Sequence, residues 1–282
     1  MGRIEEAIEK LQKASGVLRG SAGARVERPP GRLATVVAQT HAYAGKHVEF
    51  DRAALTENGL LAPDSEERHL AEQYRTIKRP LLRNAQPDHE PSVNRGNLLM
   101  VASALSGEGK TFTCVNLCMS IAREKDWHVV LVDGDCSKPH LTRLFSAENE
   151  PGLIDLLRDP TLSFDSLVMP TNIEGLSLLP AGSRDPHASE LLASSRMDTI
   201  CDELAKEQGR MIVFDSSPLL LTTEAVALAS KVGQIALVVR ANSTPRQAVR
   251  SAVERLDPSK AVSCILNQSY RTETGLDYGD YQ

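Results

Sequence analysis

From residue 98 onward, short apolar runs alternate along the chain with longer segments whose apolar residues recur at helical spacing. The runs lie at residues 98–102, 128–132, 176–180, 210–214, 234–239 and 260–266. Runs that are apolar throughout, rather than alternating, are typical of strands buried on both faces. Because such strands alternate with helices, the pattern predicts βα units and an α/β fold, with a parallel sheet flanked by helices.

The chain before residue 98 carries two helical patterns separated by a polar segment. Within residues 1–19, one stretch places Ile4, Ile8 and Leu11 on one face and charged residues on the other, which predicts a short amphipathic N-terminal helix. Its polar face is not strongly basic, so we expect a partner protein rather than a lipid surface. Docking onto its own domain is the open alternative. Residues 20–63 are rich in Gly, Ala, Arg and Pro and predict a linker.

A longer helical segment follows at residues 64–97. Its apolar residues at helical spacing are Leu70, Tyr74, Ile77 and Leu81. We expect this face to pack onto the core and Pro80 to kink or end the helix. The α/β domain would then occupy residues 98–268, and a tail residues 269–282.

The composition narrows the possible functions. A net charge of −5 over 282 residues argues against a general nucleic-acid binder. Five cysteines without paired spacing suggest a reducing compartment, and Cys114 and Cys118, four apart on a predicted helix, are interpreted as buried packing residues.

No stretch approaches the roughly 18 apolar residues of a membrane span, and no signal peptide opens the chain. We therefore expect a cytoplasmic protein whose membrane role would depend on a partner.

A phosphate-binding loop follows the first predicted strand. The run from Ala102 to Thr111 reads Ala-Ser-Ala-Leu-Ser-Gly-Glu-Gly-Lys-Thr and leads into a helical pattern. A glycine-rich turn between a strand and a helix N-terminus aims backbone N–H groups at one anion. Lys110 would reach the β- and γ-phosphates of ATP, and the Thr111 hydroxyl would ligate Mg²⁺. Ala104 replaces the first glycine of the motif and is small enough to keep the turn. The predicted nucleotide-binding residues are Ser106, Gly107, Glu108, Gly109, Lys110, Thr111 and Phe112.

Acidic residues stand at the ends of two further strands. Asp133 and Asp135 follow the run 129–132, and Asp215 follows the run 211–214 at the position of a Walker B carboxylate. Ligands of parallel sheets bind at the carboxyl ends of the strands, so we expect these carboxylates to face the phosphates. One could hold Mg²⁺ and another could orient or deprotonate an attacking hydroxyl.

The tail is unusual in its tyrosines. Tyr270, Tyr278 and Tyr281 lie within its last 13 residues, although the whole chain has five tyrosines. The tail is polar and contains two glycines, so it could place a phenol in an active site. Docking through its aromatic rings is the alternative.

In this order, the features resemble the bacterial tyrosine autokinases of capsule and exopolysaccharide assembly, in the stand-alone form associated with exosortase-type gene clusters. In that family a P-loop α/β domain uses ATP and Mg²⁺ to phosphorylate a tyrosine cluster in the tail of a neighbouring subunit. Besides the loop and the tail, the matching segments are 4–11, 72–82, 152–157, 179–182, 190–194, 214–218, 238–240, 244–246 and 266–268.

The resemblance implies roles for individual residues. Thr111, Asp135 and Asp215 would bind the metal, directly or through water. Asp133 would be the base that accepts the proton of the phenol. With Lys110, the pair Asp133 and Asp135 would make up the catalytic residues. The adenine would lie near Asn267, and phosphate would go to Tyr270, Tyr278 and Tyr281.

The resemblance also implies partners. Three residues, Glu72, Arg75 and Lys78, fill the family's Glu-x-x-Arg-x-x-Arg subunit-contact motif, with Lys in place of the last Arg. A ring-like homo-oligomer is therefore expected. A separate membrane-anchored adaptor of the polysaccharide co-polymerase type would recruit the chain to the inner face of the membrane.

Three further motifs depart from the family pattern, none of them in the phosphate loop. Ser137 replaces the arginine of Asp-x-Asp-x-Arg-x-Pro, Ser217 replaces the first of two prolines after the Walker B aspartate, and Pro186-His187-Ala188 replaces Pro-Asn-Pro. These departures bear on the rate or specificity of a kinase.

Two other functions are compatible with a phosphate loop. The first is an ATP-switched scaffold resembling the partitioning and septum-site ATPases, which carry a signature lysine where this chain has Leu105. The second is a family member that binds ATP without transferring phosphate. The tyrosine tail and Leu105 favour the kinase over the scaffold, whereas Ser137 leaves the second alternative open.

Overall fold

A computed structural model of the chain describes residues 43, 45–61, 64–86 and 92–269. The predicted N-terminal helix and the three tail tyrosines lie outside these residues. The helices are α1 (Arg52–Glu57), α2 (Asp64–Asn84), α3 (Lys110–Ala122), α4 (His140–Leu144), α5 (Leu153–Arg158), α6 (Phe164–Leu167), α7 (Ala188–Ala193), α8 (Ser195–Leu204), α9 (Thr223–Lys231) and α10 (Arg246–Val253). The strands are β1 (Leu98–Ser103), β2 (His128–Asp133), β3 (Met169–Pro170), β4 (Leu176–Leu179), β5 (Arg210–Asp215), β6 (Gln234–Arg240) and β7 (Ala261–Asn267).

The strands form one sheet in the order β3-β4-β2-β5-β1-β6-β7. All neighbouring strands are parallel except β3 and β4, which are antiparallel. The six apolar runs correspond to the six parallel strands, and the predicted α/β class is confirmed. The two-residue β3 was not predicted, because so short a pairing leaves no pattern of its own.

Helices cover both faces of this sheet. Every residue of β1 and β5 is buried, as the uninterrupted apolar runs require. One face packs on α2 and α3, where Cys114 and Cys118 are completely buried, which confirms their interpretation as packing residues. The opposite face packs on the helices from α5 to α10. Among the described residues, no helix combines the length and the apolar character needed to cross a membrane.

Helix α2 presents its apolar stripe to the core as predicted. Tyr74 and Leu81 are buried, and Leu70 and Ile77 pack against the same cluster. The alternative that Pro80 ends the helix is wrong, because α2 continues to Asn84. Burial of Leu81 and Leu82 holds the last turn in place, and the Leu81 carbonyl accepts a hydrogen bond from Gln234 Nε2 at 2.9 Å.

The last third of the predicted linker is packed onto the α/β domain. Val48 forms a parallel β-bridge with Thr171, and the ring of Phe50 stacks on Phe145 with centroids 4.2 Å apart. Leu55 of α1 is buried in the same cluster. Scattered apolar residues in a Gly- and Arg-rich segment showed no period, so the sequence could not reveal this packing.

Candidate active site

The candidate site lies where the carboxyl ends of three adjacent strands meet. Strands β2, β5 and β1 are neighbours, and each ends in a polar residue: Asp133, Asp215 and Ser103. In the register, Asp133 lies directly beside Asp215. The sheet therefore brings together carboxylates that are 82 positions apart in the sequence, beside the turn that follows β1.

The turn between β1 and α3 has the backbone of an anion-binding loop. Positive φ angles occur at Gly107 (78°) and Gly109 (93°) but not at Ala104, so alanine in place of the first glycine imposes no strain. Ser106 and Gly107 are exposed, and α3 begins at Lys110. The free N–H groups of the first helical turn and the positive end of the helix dipole thus face the loop opening.

The side chain of Glu108 braces the loop from inside. It is buried, and its Oε2 accepts a hydrogen bond from Leu105 N at 2.9 Å. Its Oε1 accepts a hydrogen bond from the Thr244 hydroxyl, which itself accepts one from Arg240 N at 3.0 Å. Glu108 therefore contributes backbone to the cradle and uses its carboxylate to tie the loop to the β6–α10 connection. Phe112 packs into the core, so it too offers backbone.

Asn267, at the end of β7, lies against the loop. Its Nδ2 donates to the Glu108 carbonyl at 2.9 Å. A Cβ on Gly109 would lie 2.0 Å from that same Nδ2, which is a second reason, besides its φ angle, for glycine there. The predicted contact of Asn267 with adenine stays a prediction, and the structure adds a second task for this side chain.

Thr111 and Asp215 form the polar centre of the site. The Thr111 hydroxyl donates to Asp215 Oδ2 at 2.8 Å, while the buried Asp215 Oδ1 has no hydrogen-bond partner among the described residues. Burial raises the pKa of Asp215 to about 7, and the nearby Lys110 ammonium acts in the opposite direction. A buried carboxylate oxygen without a partner is costly unless a cation binds there.

This donor set fits Mg²⁺. Hydroxyl and carboxylate oxygens are the ligands that Mg²⁺ prefers, and Thr111, Asp135 and Asp215 supply them. Within the described ranges, no three His, Cys, Asp or Glu side chains are grouped to hold a metal by themselves. Mg²⁺ is ordinarily held by one or two carboxylates together with substrate phosphates and waters. A bound Mg²⁺ would neutralise charge on the phosphates.

The two carboxylates after β2 have different surroundings. Asp133 is fully buried, and its Oδ2 accepts hydrogen bonds from the backbone N (2.7 Å) and hydroxyl (2.8 Å) of Thr142. Burial raises the pKa of Asp133 to about 6, although the bonds from Thr142 act against this. Asp135 is partly exposed and accepts hydrogen bonds from Ser217 Oγ (2.8 Å) and Lys138 N (3.0 Å). Asp135 therefore reaches the open side of the site, whereas Asp133 faces α4.

Gly134, between these carboxylates, was missed by the sequence reasoning. Its N–H donates to the Asp215 carbonyl at 2.7 Å, and a Cβ at this position would lie 2.7 Å from that same oxygen. Only glycine lets the ends of β2 and β5 approach this closely. The sequence did contain a signal, since a glycine stands between two aspartates directly after a strand.

Two of the departures from the family pattern have hydrogen-bond partners here. Ser217 donates to Asp135, as described above. Ser137, at the position of the family arginine, donates its hydroxyl to Glu224 Oε1 at 3.0 Å. Ser217 thus orients Asp135, a predicted metal ligand. The sequence alone did not suggest this role.

The three residues of the predicted subunit-contact motif differ in accessibility. Glu72 and Arg75 are exposed on α2. Lys78 is buried, and its Nζ pairs with Glu124 at 2.7 Å and donates to the Ser120 carbonyl, both near the end of α3. The Lys78 ammonium therefore bonds within its own chain, whereas Glu72 and Arg75 are accessible to another subunit.

Comparisons with known proteins identify the family to which the chain belongs. The family model described as the CobQ/CobB/MinD/ParA nucleotide binding domain matches residues 99–258. The tyrosine-protein kinase YwqD of Bacillus subtilis is 30% identical over 213 residues, which cover 75% of this chain and 86% of YwqD. The tyrosine-protein kinase wzc of Salmonella typhi is 31% identical over 191 residues. These cover 67% of this chain but 26% of wzc, so the chain spans about a quarter of that relative's length.

Solved structures show the same similarity. The kinase domain of VpsO superposes with a TM-score of 0.59 at 29% identity, covering 74% of this chain and all of that domain. The kinase domain of the Escherichia coli tyrosine kinase ETK superposes with a TM-score of 0.56 at 26% identity, covering 66% of this chain and 73% of that one. The chain therefore belongs to the CobQ/CobB/MinD/ParA nucleotide-binding family and, within it, to the bacterial tyrosine-protein kinases.

Proposed function

We propose that this chain is an ATP-dependent protein-tyrosine autokinase that phosphorylates Tyr270, Tyr278 and Tyr281 on a neighbouring copy. The observation that carries the proposal is the contact between Asn267 and the phosphate loop. Since β7 ends at this residue, the chain enters its tyrosine-rich tail within three residues of the loop. The three tyrosines are thereby linked by a short stretch of chain to a nucleotide site.

ATP and Mg²⁺ are the proposed cofactors. Lys110 and the backbone N–H groups of the loop would hold the β- and γ-phosphates, and Thr111 and Asp215 would hold the metal, with Asp135 on the open side. Phosphoryl transfer depends mainly on positioning and on charge neutralisation. The hydrogen bonds of Glu108 within the loop support the proposal. Because they order the loop before ATP binds, less of the binding energy is lost in ordering it.

Asp133 is the proposed base toward the phenol. Its pKa of about 6 lies close to neutral pH, where a group that accepts a proton works best. Both oxygens of Asp133 already accept hydrogen bonds, from Thr142 and from Asp135 N. Oδ1 accepts one bond, at 3.3 Å from Asp135 N, so this oxygen keeps a lone pair with which to accept a hydrogen bond from the phenol.

The partners of the kinase are proposed from the family and the exposed face of α2. Glu72 and Arg75 would contact the next subunit of a ring-like homo-oligomer, and Lys78 would support them from within. A separate membrane-anchored adaptor of the co-polymerase type would recruit the kinase to the cytoplasmic face of the membrane, with residues 3–14 as the segment it contacts. Phosphorylation of the tail would then regulate the chain length or export of an exopolysaccharide.

Mass spectrometry of phosphotyrosine tests the proposed activity. Purified protein would be incubated with ATP and Mg²⁺ beside Lys110→Met, with and without a candidate adaptor. We expect phosphate on at least one tail tyrosine and none in the variant. Hydrolysis of ATP with bare tyrosines in both conditions would contradict the proposal and support an ATP-switched scaffold.

A further inference from the structure

A groove between α2 and α3 lies away from the phosphate loop. It has a volume of about 320 Å³. Its lining includes Arg123 and Glu124 after the last turn of α3. Since a helix rises about 1.5 Å per residue, this end of α3 lies roughly 20 Å from Lys110 at its start. The groove is therefore a separate site on the helix that begins at the phosphate loop.

The charges around this groove favour an anion. Five cationic side chains line it, against the two carboxylates of Glu67 and Glu124: Arg52, Arg75, Lys78, Arg79 and Arg123. Lys78 is paired with Glu124, while Glu67 lies 3.0 Å from Arg52 and 3.7 Å from Arg123. Both carboxylates are therefore already ion-paired, and the five cations still leave the groove with an excess of positive charge.

Two of these arginines have no partner among the residues that the structure describes. Arg75 and Arg79 are exposed and make no ion pair or hydrogen bond with any part of the chain that the structure describes. They lie four residues apart on α2, so their side chains project from the same face one turn apart. Two neighbouring guanidinium groups can together bind one phosphate through charge-assisted hydrogen bonds.

The groove is also lined by apolar side chains, beside the polar Asn116 and Ser120. Leu61, Leu70 and Met119 line it together with Ala71 and the buried Tyr74. An aromatic ring would bury its faces against such side chains, and methionine adapts its shape to aromatic rings. A lining that combines cationic and apolar side chains matches a phosphate carried on a ring, which is the side chain of phosphotyrosine.

We propose that the groove binds the phosphorylated tyrosine tail of a copy of this chain. Residues 270–282 contain three tyrosines and three carboxylates, Glu273, Asp277 and Asp280, against one cation, Arg271. Each phosphate adds about −1.5 to −2 charges. The eleven residues from Gln268 to Tyr278 span up to roughly 35 Å when extended, more than the distance along α3. This proposal rests on the proposed function, because the kinase is the source of the phosphate.

Fluorescence anisotropy with synthetic peptides tests the groove without kinase activity. Labelled peptides of residues 268–282, with either three phosphotyrosines or none, would be titrated with the full chain. Saturating ADP and Mg²⁺ would keep the phosphate loop occupied. We expect the phosphorylated peptide to bind at least about tenfold more tightly than the unphosphorylated one, because arginine clusters recognise phosphate in this way.

A pair of double variants assigns the binding to the groove. Arg79→Gln with Arg123→Gln should weaken binding of the phosphorylated peptide about tenfold or more, and it leaves the proposed subunit-contact residues intact. Arg68→Gln with Arg83→Gln is the control, since both arginines are exposed on α2 outside the groove. It should change binding less than about twofold. Circular dichroism would verify that both variants are folded.

Two results would overturn the proposal. One is equal affinity for both peptides, which would indicate a site for acidic segments in general. The other is an equal loss of affinity in both double variants, which would indicate unspecific attraction to α2. Neither result bears on the kinase, since the peptides are phosphorylated by synthesis. Conversely, an inactive chain that binds the phosphorylated peptide would contradict the proposed activity but not the groove.

Discussion

The phosphate-loop edge of the sheet and the α2–α3 groove handle charge in opposite ways. At the loop, Glu108, Asp133 and Asp215 are buried, and five of their six carboxylate oxygens accept a hydrogen bond. In the groove, Arg75 and Arg79 are exposed and lack a partner within the described part of the chain. The first region holds its charges buried and hydrogen-bonded before a ligand binds, whereas the second leaves two arginines in solvent beside the buried Lys78.

This difference predicts how each region responds to mutation. Buried, hydrogen-bonded charges are coupled to folding, so changing them alters stability and activity together. Exposed charges cost little to remove, so changing them should affect binding alone.

Asp215→Asn should lower phosphotransfer by about 10²–10³-fold, because it removes a negative charge from the metal site. In the nucleotide-free protein it should raise stability above pH 7. The folded-state pKa of about 7 exceeds the ordinary aspartate value of 3.8, so wild type loses stability as the pH rises between these values. The loss is on the order of 2–4 kcal/mol.

Urea unfolding of both proteins at pH 5 and pH 8 measures this effect. The stability difference between Asp215→Asn and wild type should shift in favour of the variant at pH 8. A difference that does not change with pH would contradict the burial of an ionisable Asp215.

Substitution of Asp133 should mainly lower stability, whereas substitution of Asp135 should mainly lower the kinase rate. Asp133→Ala should cost about 2–4 kcal/mol of stability, because Thr142 loses the acceptor for its N–H and hydroxyl. Asp135→Ala should change stability by no more than about 1 kcal/mol and still lower the kinase rate about 10²-fold.

Asp133→Asn then tests the proposed base. An amide oxygen can still accept from Thr142 but cannot take a proton. If Asp133 is the base, this variant folds, is nearly inactive and lacks the acidic limb of the pH–rate profile near pH 6. Wild-type kinetics in this variant would limit Asp133 to positioning Thr142.

Glu108→Ala should loosen the phosphate loop. It leaves Leu105 N and the Thr244 hydroxyl without their acceptor, which should cost about 1–3 kcal/mol of stability. The KM for ATP should rise more than kcat falls, because the loop would no longer be ordered before binding. Thr244→Val removes one of the two bonds and should give about half the effect on both. Steady-state kinetics and thermal unfolding provide the measurements, and an unchanged KM would contradict the bracing role.

Two cations of the subunit-contact motif on α2 should differ in their effect on stability. Lys78→Gln should destabilise the chain by about 1–3 kcal/mol, since Glu124 and the Ser120 carbonyl lose a buried partner. Arg75→Gln should change stability by less than about 0.5 kcal/mol while lowering the oligomeric mass seen by light scattering. If both variants were equally stable, the distinction between a buried and an exposed member of this motif would fail.

Much of the fold and of the site was predictable because it is local in the sequence. The apolar runs locate the parallel strands, and the loop from Ala104 to Lys110 carries its glycines where φ is positive, at Gly107 and Gly109. The convergence of Asp133 with Asp215 follows once the strands are parallel, because their carboxyl ends share one edge of the sheet.

The remainder depends on contacts between distant residues. Glu108 meets Thr244 across 136 positions, and Lys78 meets the Ser120 carbonyl across 42. Neither pair leaves a periodic signal. The packing of Phe50 on Phe145 likewise depends on where the finished sheet places the two segments.

Transfer of phosphate between two distinguishable copies of the chain is the most direct test of the proposed autokinase activity. Lys110→Met with its tail intact would be the acceptor, and a chain with Phe at positions 270, 278 and 281 would be the donor. The two would be mixed with ATP and Mg²⁺. If phosphate is transferred between copies, we expect phosphotyrosine on the tail of the Lys110→Met chain in the mixture and none when either chain is incubated alone. A mixture without tail phosphotyrosine, under conditions in which wild type phosphorylates its tail, would contradict transfer between copies.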